Sequence, residues 1–163
     1  MQTLDRTTAA RAVTKATSDD YERVINTVSF AFARDPVVRW FYPQPHDFLK
    51  YWPSFVEAFG GAAFAHDGAW YAGDFAAGAL WLPPDVHPDG EAIDALLQDS
   101  ISPEQYEVSM GLFEELDRYH PTEPFWHLTF LAVDPFLQGQ GFGSQLLRET
   151  LKRVDEAHKV AAL

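Results

Sequence analysis

The segment Val133–Leu147, with the sequence VDPFLQGQGFGSQLL, places three glycines within five positions directly before a strongly apolar helical pattern. Glycine at a helix start costs more conformational entropy than other residues do. Glycine is favoured there despite this cost when the backbone must closely approach a ligand. The N–H groups in the first helical turn have no helical partner and carry partial positive charge, so they can bind that ligand. The pattern therefore predicts an anion-binding turn between a strand and a helix.

Two common phosphate-binding patterns do not fit this segment. A P-loop needs a lysine directly after its last glycine, and here Gly143 is followed by Ser144. The dinucleotide fingerprint G-x-G-x-x-G is one residue longer than the spacing Gly139-x-Gly141-x-Gly143 found here. A turn in which the glycines only shape the backbone is the alternative without a ligand.

The composition is that of a globular chain and predicts a single domain over residues 1–163. No apolar run approaches the length of a membrane span, and the N-terminus lacks the apolar stretch of a signal peptide. The chain has no cysteine, which excludes a disulfide framework, a thiolate nucleophile and a cysteine zinc site. These features predict a cytoplasmic protein that does not insert into a membrane.

The formal net charge of −12 argues against a nucleic-acid partner, because phosphate backbones are bound by clustered lysine and arginine. It suits a cationic or neutral small-molecule substrate. The simpler interpretation is an acidic surface that only keeps the chain in solution.

Apolar periodicity and helix-capping signals predict one mixed order of helices and strands. An aromatic stripe in the second helix, Phe48, Trp52, Phe55 and Phe59, is expected to pack in the core or to line an apolar pocket. The predicted elements are a strand over 12–17, a helix capped by Asp19 with Glu22 and ended by Asp35-Pro36, a helix from His46 to Gly60, a hairpin over 69–82, a helix around Ile93, a helix starting at the capping box Ser102–Gln105, a buried strand over 125–133, a helix from about Gly141 to His158, and the start of a strand at Val160–Leu163.

The segment Val133–Ser144 closely resembles the acetyl-CoA signature of the GNAT N-acetyltransferase superfamily. That signature reads V-x-P, two residues, then [RQ]-x-x-G-x-[GA]. Two further segments, AFARDPVVRWFYP and ALWLPP, resemble the puromycin N-acetyltransferase branch. The resemblance implies an α/β fold with a mixed α+β sheet, the acyl-CoA N-acyltransferase (GNAT-like) fold. It also implies transfer of an acetyl group from acetyl-CoA to a primary amine of a small molecule.

The same resemblance assigns residues to the cosubstrate. The pantetheine arm would pair like an extra strand against Leu131, Ala132 and Val133. The pyrophosphate would be held by backbone N–H groups of the residues Gln138, Gly139, Gln140, Gly141, Phe142, Gly143 and Ser144.

Residues for the proton transfers are harder to identify from sequence. His127 lies six residues before Val133, predicted to be on the same strand face, where it could act as a base directly or through water. Its alternative is a half-buried strand histidine. Glu114, Glu115 and Asp117 could attract a cationic amine, or they form a solvated helix face. The other histidines show no ligand-like spacing, so no metal site is predicted.

The resemblance also implies that the domain is C-terminally incomplete, within the strand after the motif helix. Members of the family normally continue with a splayed strand, a helix that carries a tyrosine general acid, and two more strands, so that tyrosine is not assigned here. The alternative function is a catalytically inactive protein that binds CoA or self-associates. Without those later elements the last strand of the sheet would have an uncovered apolar edge. This predicts a homodimer or larger homo-oligomer through Trp126–Val133 and Val160–Leu163.

Overall fold

A five-stranded mixed sheet, in the order β1-β2-β3-β4-β5, organises residues 12–163, which are the residues that the computed structural model describes. The first four strands pair antiparallel and β5 pairs parallel with β4. This arrangement confirms the predicted α/β fold with a mixed sheet. The strands are β1 Val13–Lys15, β2 Ala69–Ala72, β3 Ala77–Leu82, β4 Phe125–Val133 and β5 Val160–Ala162.

Within the described residues, six α-helices pack on this sheet or on one another. Two short 3-10 helices, Ser18–Asp20 and Gly61–His66, adjoin α1 and α3. Helices α1 and α3 cover one face of the sheet and α6 covers the other, while α4 packs on α3 and α5 on α4. The helices are α1 Tyr21–Ala31, α2 Pro36–Phe41, α3 Pro45–Gly60, α4 Gly90–Ser100, α5 Pro103–Asp117 and α6 Phe142–Glu156.

The two faces of the sheet carry different cores. On the α1/α3 face the core is rich in aromatic residues, and Trp52 and Phe130 meet edge to face with ring centroids 6.2 Å apart. The aromatic stripe of α3 continues outward in stacked rings, Trp52 on Phe55 at 5.2 Å and Phe55 on Phe59 at 5.5 Å. On the α6 face the core is mostly aliphatic, around Leu128 and Leu146. Aromatic residues are therefore concentrated on the α1/α3 side of β4.

The start of α1 differs from the prediction. The capping pair is Thr17 with Asp20, whose carboxylate accepts hydrogen bonds from the Thr17 N–H and hydroxyl, both at 2.9 Å. The prediction of Asp19 with Glu22 is wrong because a 3-10 turn precedes the helix and moves the cap upstream.

The short helix α2 was not predicted. Asp35-Pro36 was expected to end the first helix, which instead ends at Ala31. The Asp35 carboxylate accepts hydrogen bonds from the N–H groups of Val37 and Val38, and Pro36 occupies the first helical position. The same two residues therefore start a new helix, because a capping aspartate followed by proline is also a helix start.

The remaining helix and hairpin predictions are confirmed. Gln105 N–H donates to the Ser102 hydroxyl at 3.2 Å, and Ser102 N–H donates to the Gln105 side-chain oxygen at 3.1 Å, which is the predicted capping box. The hairpin of β2 and β3 turns through residues 73–76, and β5 begins at Val160 as expected.

A one-residue bulge interrupts the pairing of β3 with β4. Leu80 lies opposite Phe130 and Trp81 lies opposite Leu128, so Thr129 is an extra residue in β4. The Thr129 hydroxyl donates a hydrogen bond to the Leu80 carbonyl at 3.0 Å. The last residue of α3, Gly60, packs so closely here that a Cβ atom would lie 2.8 Å from Thr129 Oγ1 and 2.8 Å from a Leu80 methyl carbon.

We expect Gly60→Ala to lower the free energy of unfolding by about 1–3 kcal/mol, because an added methyl group overpacks the bulge. A matched control is Gly111→Ala within α5, where a Cβ atom meets no other atom within 4 Å. That change should raise stability by about 0.5–1 kcal/mol through helix propensity. Urea denaturation measures both, and a Gly60→Ala protein as stable as wild type would contradict the close packing.

Candidate active site

The edge of β4 that faces β5 is only partly occupied. β5 pairs with Phe125–His127, whereas within residues 12–163 no strand pairs with that edge from Leu128 to Val133. On its other side β4 pairs with β3 up to Val133. In an antiparallel ladder, alternate backbone groups point away from the paired strand. Leu131, Ala132 and Val133 therefore belong to an open edge to which an extended ligand can add hydrogen bonds.

A tight turn connects this open edge to α6. The Asp134 side chain accepts a hydrogen bond from Phe136 N–H at 2.8 Å, and the Asp134 carbonyl accepts one from Leu137 N–H at 2.8 Å. Gly139 and Gly141 then have φ values of 74° and 88°, in the left-handed region that glycine adopts without strain. These two conformations turn the chain so that α6 begins at Phe142, with Gly141 at its N-cap.

The segment Gln138–Ser144, here named the glycine loop, forms a hollow of about 280 Å³ with the end of β4. Seven of the predicted cosubstrate residues line it, whereas Gln140, Leu131 and Ala132 do not. The N–H groups of Gly143 and Ser144 lie in the first turn of α6, where no intrahelical acceptor exists. The hollow therefore combines helix-dipole potential with glycine backbone, which suits an anion. The lining residues are Val133, Gln138, Gly139, Gly141, Phe142, Gly143 and Ser144.

A larger depression of about 390 Å³ lies between α3 and α4. It also adjoins a helix start, but the Asp89 carboxylate already caps α4 by accepting from Ala92 N–H at 3.0 Å. Glu57 adds a second carboxylate to the lining. Two acidic side chains repel an anion, so this depression does not compete with the glycine loop for a phosphate group.

The bulge at Thr129 changes the face on which His127 lies. His127 was predicted to share a face with Val133 because the two are six residues apart. Val133 packs with the α6-side core, whereas the His127 ring meets Phe59 of α3 with centroids 5.9 Å apart. The prediction is wrong because the extra residue shifts the alternation of side chains by one position. His127 therefore faces the aromatic α1/α3 side of the sheet.

His127 is one member of a histidine cluster, defined here as His87, His120 and His127. The rings of His120 and His127 lie 5.0 Å apart between centroids. Burial, followed by positive charge on His120 and His87, lowers the pKa of His127 to about 4, against a smaller opposite effect of Asp117. At neutral pH His127 is thus an uncharged imidazole. Sequence reasoning missed this cluster, because His87 and His120 lie near opposite ends of the long segment between β3 and β4, and His127 follows that segment.

The three predicted acidic residues of α5 separate in the structure. Glu115 pairs with Arg118 at 2.7 Å, and Glu114 is exposed. Only Asp117 reaches the histidine cluster, with its carboxylate 3.2 Å from His120 Nδ1.

The segment between β3 and β4, residues 83–124, carries most of the net charge of the chain. It holds eleven acidic residues and one basic residue, against 24 and 12 in the whole sequence. Its two ends bring His87 and His120 towards His127. A strongly negative segment therefore borders the aromatic side of β4, where it attracts cations and repels anions.

Within residues 12–163, no cluster of three or more histidine, aspartate or glutamate side chains is arranged to hold a metal ion. No helix in this range is both long enough and apolar enough to cross a membrane.

The sequence profile of the acetyltransferase (GNAT) family matches residues 33–163. This range includes the open edge of β4, the glycine loop and the histidine cluster.

Several solved structures share the fold. An acetyltransferase from Corynebacterium glutamicum, described as histone acetyltransferase HPA2 and related acetyltransferase, is 22% identical with a TM-score of 0.59, covering 89% of this chain and 72% of that chain. Arylalkylamine N-acetyltransferase 2 from Aedes aegypti is 16% identical with a TM-score of 0.58, covering 90% and 71%. An agmatine N-acetyltransferase is 13% identical with a TM-score of 0.52, covering 92% and 72%. At these identities the likeness concerns the fold.

The depressed pKa of His127 makes folding stability depend on pH. Between its ordinary pKa of 6.5 and about 4, the unfolded chain binds a proton that the folded chain does not, so stability falls as the pH falls through this window. We expect wild type to lose about 1 kcal/mol more than His127→Gln between pH 7 and pH 4, a value below the full shift because the ring is partly exposed to solvent screening. Urea denaturation at several pH values measures the difference.

The matched control is His46→Gln, at an exposed position at the start of α3. It should keep the wild-type dependence on pH. Equal pH dependence in wild type and His127→Gln would contradict the low pKa.

Proposed function

We propose that this chain, which belongs to the acetyltransferase (GNAT) family, transfers an acetyl group from acetyl-CoA to a primary amine of a small molecule. Members of that family use acetyl-CoA as the acetyl donor. The observation that carries the proposal is the glycine loop, where two left-handed glycines open the start of α6 beside an unpaired strand edge. We further propose that residues 1–163 form one unit of this fold.

The glycine loop is proposed to hold the pyrophosphate of the cosubstrate. Its contribution is mostly backbone, because N–H groups at a helix start bind phosphate without needing a cationic side chain. The local charge supports this assignment: residues 142–163 hold four basic and three acidic residues, whereas the rest of the chain is strongly acidic. We assign this role to Gln138, Gly139, Gln140, Gly141, Phe142, Gly143 and Ser144.

The open edge of β4 is proposed to hold the pantetheine arm. Along Leu131, Ala132 and Val133, alternate backbone groups are unpaired and point towards the position where β5 has diverged from β4. The amide groups of the pantetheine arm can extend the sheet there like an added strand. The arm would then run from the glycine loop towards the bulge and place the thioester near it. A backbone N–H on this edge would then donate to the acetyl oxygen as negative charge develops on it.

His127 is proposed to act as the base that accepts a proton from the attacking amine, directly or through water. It lies next to the bulge and is uncharged at neutral pH, so its imidazole can accept a proton. The amine nitrogen attacks the thioester carbonyl, the C–S bond breaks, and CoA leaves as a thiolate that takes up a proton. No residue of this chain is assigned as the acid that supplies that proton.

Two observations support a small cationic amine with apolar surface as the acceptor. The acidic segment 83–124 attracts a cation towards the aromatic side of β4, and Phe59 and Phe125 flank His127 there. Two of the proteins with this fold are named for arylalkylamines and for agmatine, which are small amines. Within the family we retain the puromycin N-acetyltransferase-like branch as the nearer assignment, because of the segments AFARDPVVRWFYP and ALWLPP.

A catalytically inactive CoA-binding protein is the second candidate. The observation that favours it is the low pKa of His127, about 4, which makes this imidazole a weak base towards an alkylammonium group. Both candidates bind CoA, and only the first releases thiol in the presence of an amine. For both candidate functions we propose a cytoplasmic location, because a chain without cysteine forms no disulfide that would need an oxidising compartment.

We expect wild-type protein to release CoA thiol from acetyl-CoA with small aromatic or alkyl amines, and Gly141→Val to raise KM for acetyl-CoA at least tenfold. At a φ of 88° the substituted residue strains the turn by about 1–2 kcal/mol, and its branched side chain narrows the pyrophosphate path. A thiol-reactive dye measures the release, and calorimetry measures CoA binding.

The control for this experiment is Gly90→Ala at the start of α4, where a Cβ atom meets nothing within 4 Å. It should keep the wild-type KM. Folded wild type that binds no CoA at millimolar concentration would overturn the cosubstrate assignment. Faster acetylation of a lysine-rich peptide than of small amines would overturn the acceptor class.

A homodimer or larger homo-oligomer through the β5 edge is a further part of the proposal. β5 is the last strand of the sheet, so within residues 12–163 its outer edge has no strand partner, and Val160 is exposed. We expect the amides of Val160–Ala162 to exchange hydrogen more slowly in concentrated than in dilute samples. A chain that sediments as a monomer at high micromolar concentration, with those amides exchanging freely, would contradict this assembly.

A further inference from the structure

We propose that His120, oriented by Asp117, is a positioning residue that conducts the proton of the acceptor amine from His127 to solvent. This inference rests on the proposed acetyl transfer and on His127 as its base. It adds a second histidine, located after α5 and outside the strand, to the proton path.

The geometry places His120 between His127 and a carboxylate. The His120 and His127 rings lie 5.0 Å apart between centroids at an interplanar angle of 64°, close enough for proton exchange directly or through one water. The Nδ1 atom of His120 lies 3.2 Å from a carboxylate oxygen of Asp117. The order from the sheet outwards is therefore His127, His120, Asp117.

The exposure of these groups decides the direction of proton movement. Burial disfavours a charged imidazole at His127, and the neighbouring rings of Phe59 and Phe125 add no polar partner. The His120 side chain is 23% exposed and has a carboxylate beside it, while the Asp117 side chain is 83% exposed. Burial thus disfavours a proton on His127, and the more exposed His120 connects that ring to solvent beside Asp117.

The charged groups that act on His127 agree with this direction. They are His87 and His120, which oppose a positive charge on His127, and Asp117, which favours one. Burial and these neighbours together disfavour an imidazolium at His127. Transfer of its proton to an uncharged His120 moves the positive charge next to the Asp117 carboxylate.

The proton balance requires such an outlet. An ammonium group has three protons and the amide product keeps one. One of the other two ends on the CoA sulfur, and the second must leave to solvent. That second proton passes from the amine to His127, then to His120, and then to water near Asp117. No oxidant, metal or other co-reactant takes part.

We expect His120→Gln to lower kcat/KM for the amine about tenfold at pH 7, without changing KM for acetyl-CoA. The loss should shrink as the pH rises, because a larger fraction of the amine is then already unprotonated. Added imidazole should restore part of the rate, since a small base in solution can replace the missing proton carrier. Asp117→Asn, at an exposed position, should lower the rate about threefold and provides a variant that does not disturb the core.

The control variant His46→Gln, at an exposed histidine outside the cluster, should keep the wild-type pH profile. A His120→Gln protein with the wild-type rate would overturn the proposal. A loss of rate that is independent of pH and unaffected by imidazole would also overturn it, because such a loss indicates altered packing and not a lost proton carrier.

A second readout does not depend on catalysis. In the substrate-free protein, NMR titration of the His127 ring should give a higher pKa in His120→Gln than in wild type, because a neighbouring positive charge is removed. An unchanged pKa would show that the two rings are not coupled and would overturn the relay. Wild type without thiol release would overturn the proposed function instead, so the two failures are distinguishable.

Discussion

The bulge at Thr129 is the constraint on which the rest of the structure depends. It is fixed from two sides, by the hydrogen bond from the Thr129 hydroxyl to the Leu80 carbonyl and by close packing against Gly60. Before the bulge, β4 pairs with strands on both edges; after it, the edge facing β5 is open. The bulge also turns His127 away from the face that Val133 occupies. One inserted residue therefore separates the two parts of the site, an anion-binding backbone on one side and an aromatic histidine pocket on the other.

Charge is distributed so that an acidic chain can still receive an anionic ligand. Residues 83–124 hold eleven of the 24 acidic residues, whereas residues 142–163, which contain α6, are close to neutral. The glycine loop lies at the neutral end, and its attraction for phosphate comes from backbone dipoles, which need no lysine. A net charge of −12 thus does not contradict the binding of a phosphate-containing cosubstrate, because the repulsive charges belong to a different segment.

Local signals were enough to predict most elements, since each is defined by its own residues. The capping box at Ser102, the glycines after α3 and the glycine loop are examples. The errors at the start of α1 and at α2 are local, because a 3-10 turn moved one cap and Asp35-Pro36 started a helix. The errors at the site come from features that depend on tertiary structure. β4 is apolar on both faces, so its sequence contains no alternation that could reveal the bulge, and the face of His127 was predicted wrongly as a result. The approach of His87 and His120 to His127 depends on how a forty-residue segment packs, which spacing along the chain does not report.

The proposed acceptor, a cationic amine, must be both attracted to the site and deprotonated there, and these two requirements favour opposite electrostatic environments. Carboxylates near the entrance raise the local concentration of an ammonium ion, but they also stabilise its charge and so oppose its deprotonation. The structure places the two effects in different environments. The acidic side chain of Glu114 is exposed on α5, whereas His127 is flanked by Phe59 and Phe125. An amine that moves from the first environment to the second leaves the stabilising carboxylates and enters apolar surroundings that favour its neutral form. The same burial that makes His127 a weak base therefore also weakens the hold of the amine on its proton, which brings the two groups closer in proton affinity.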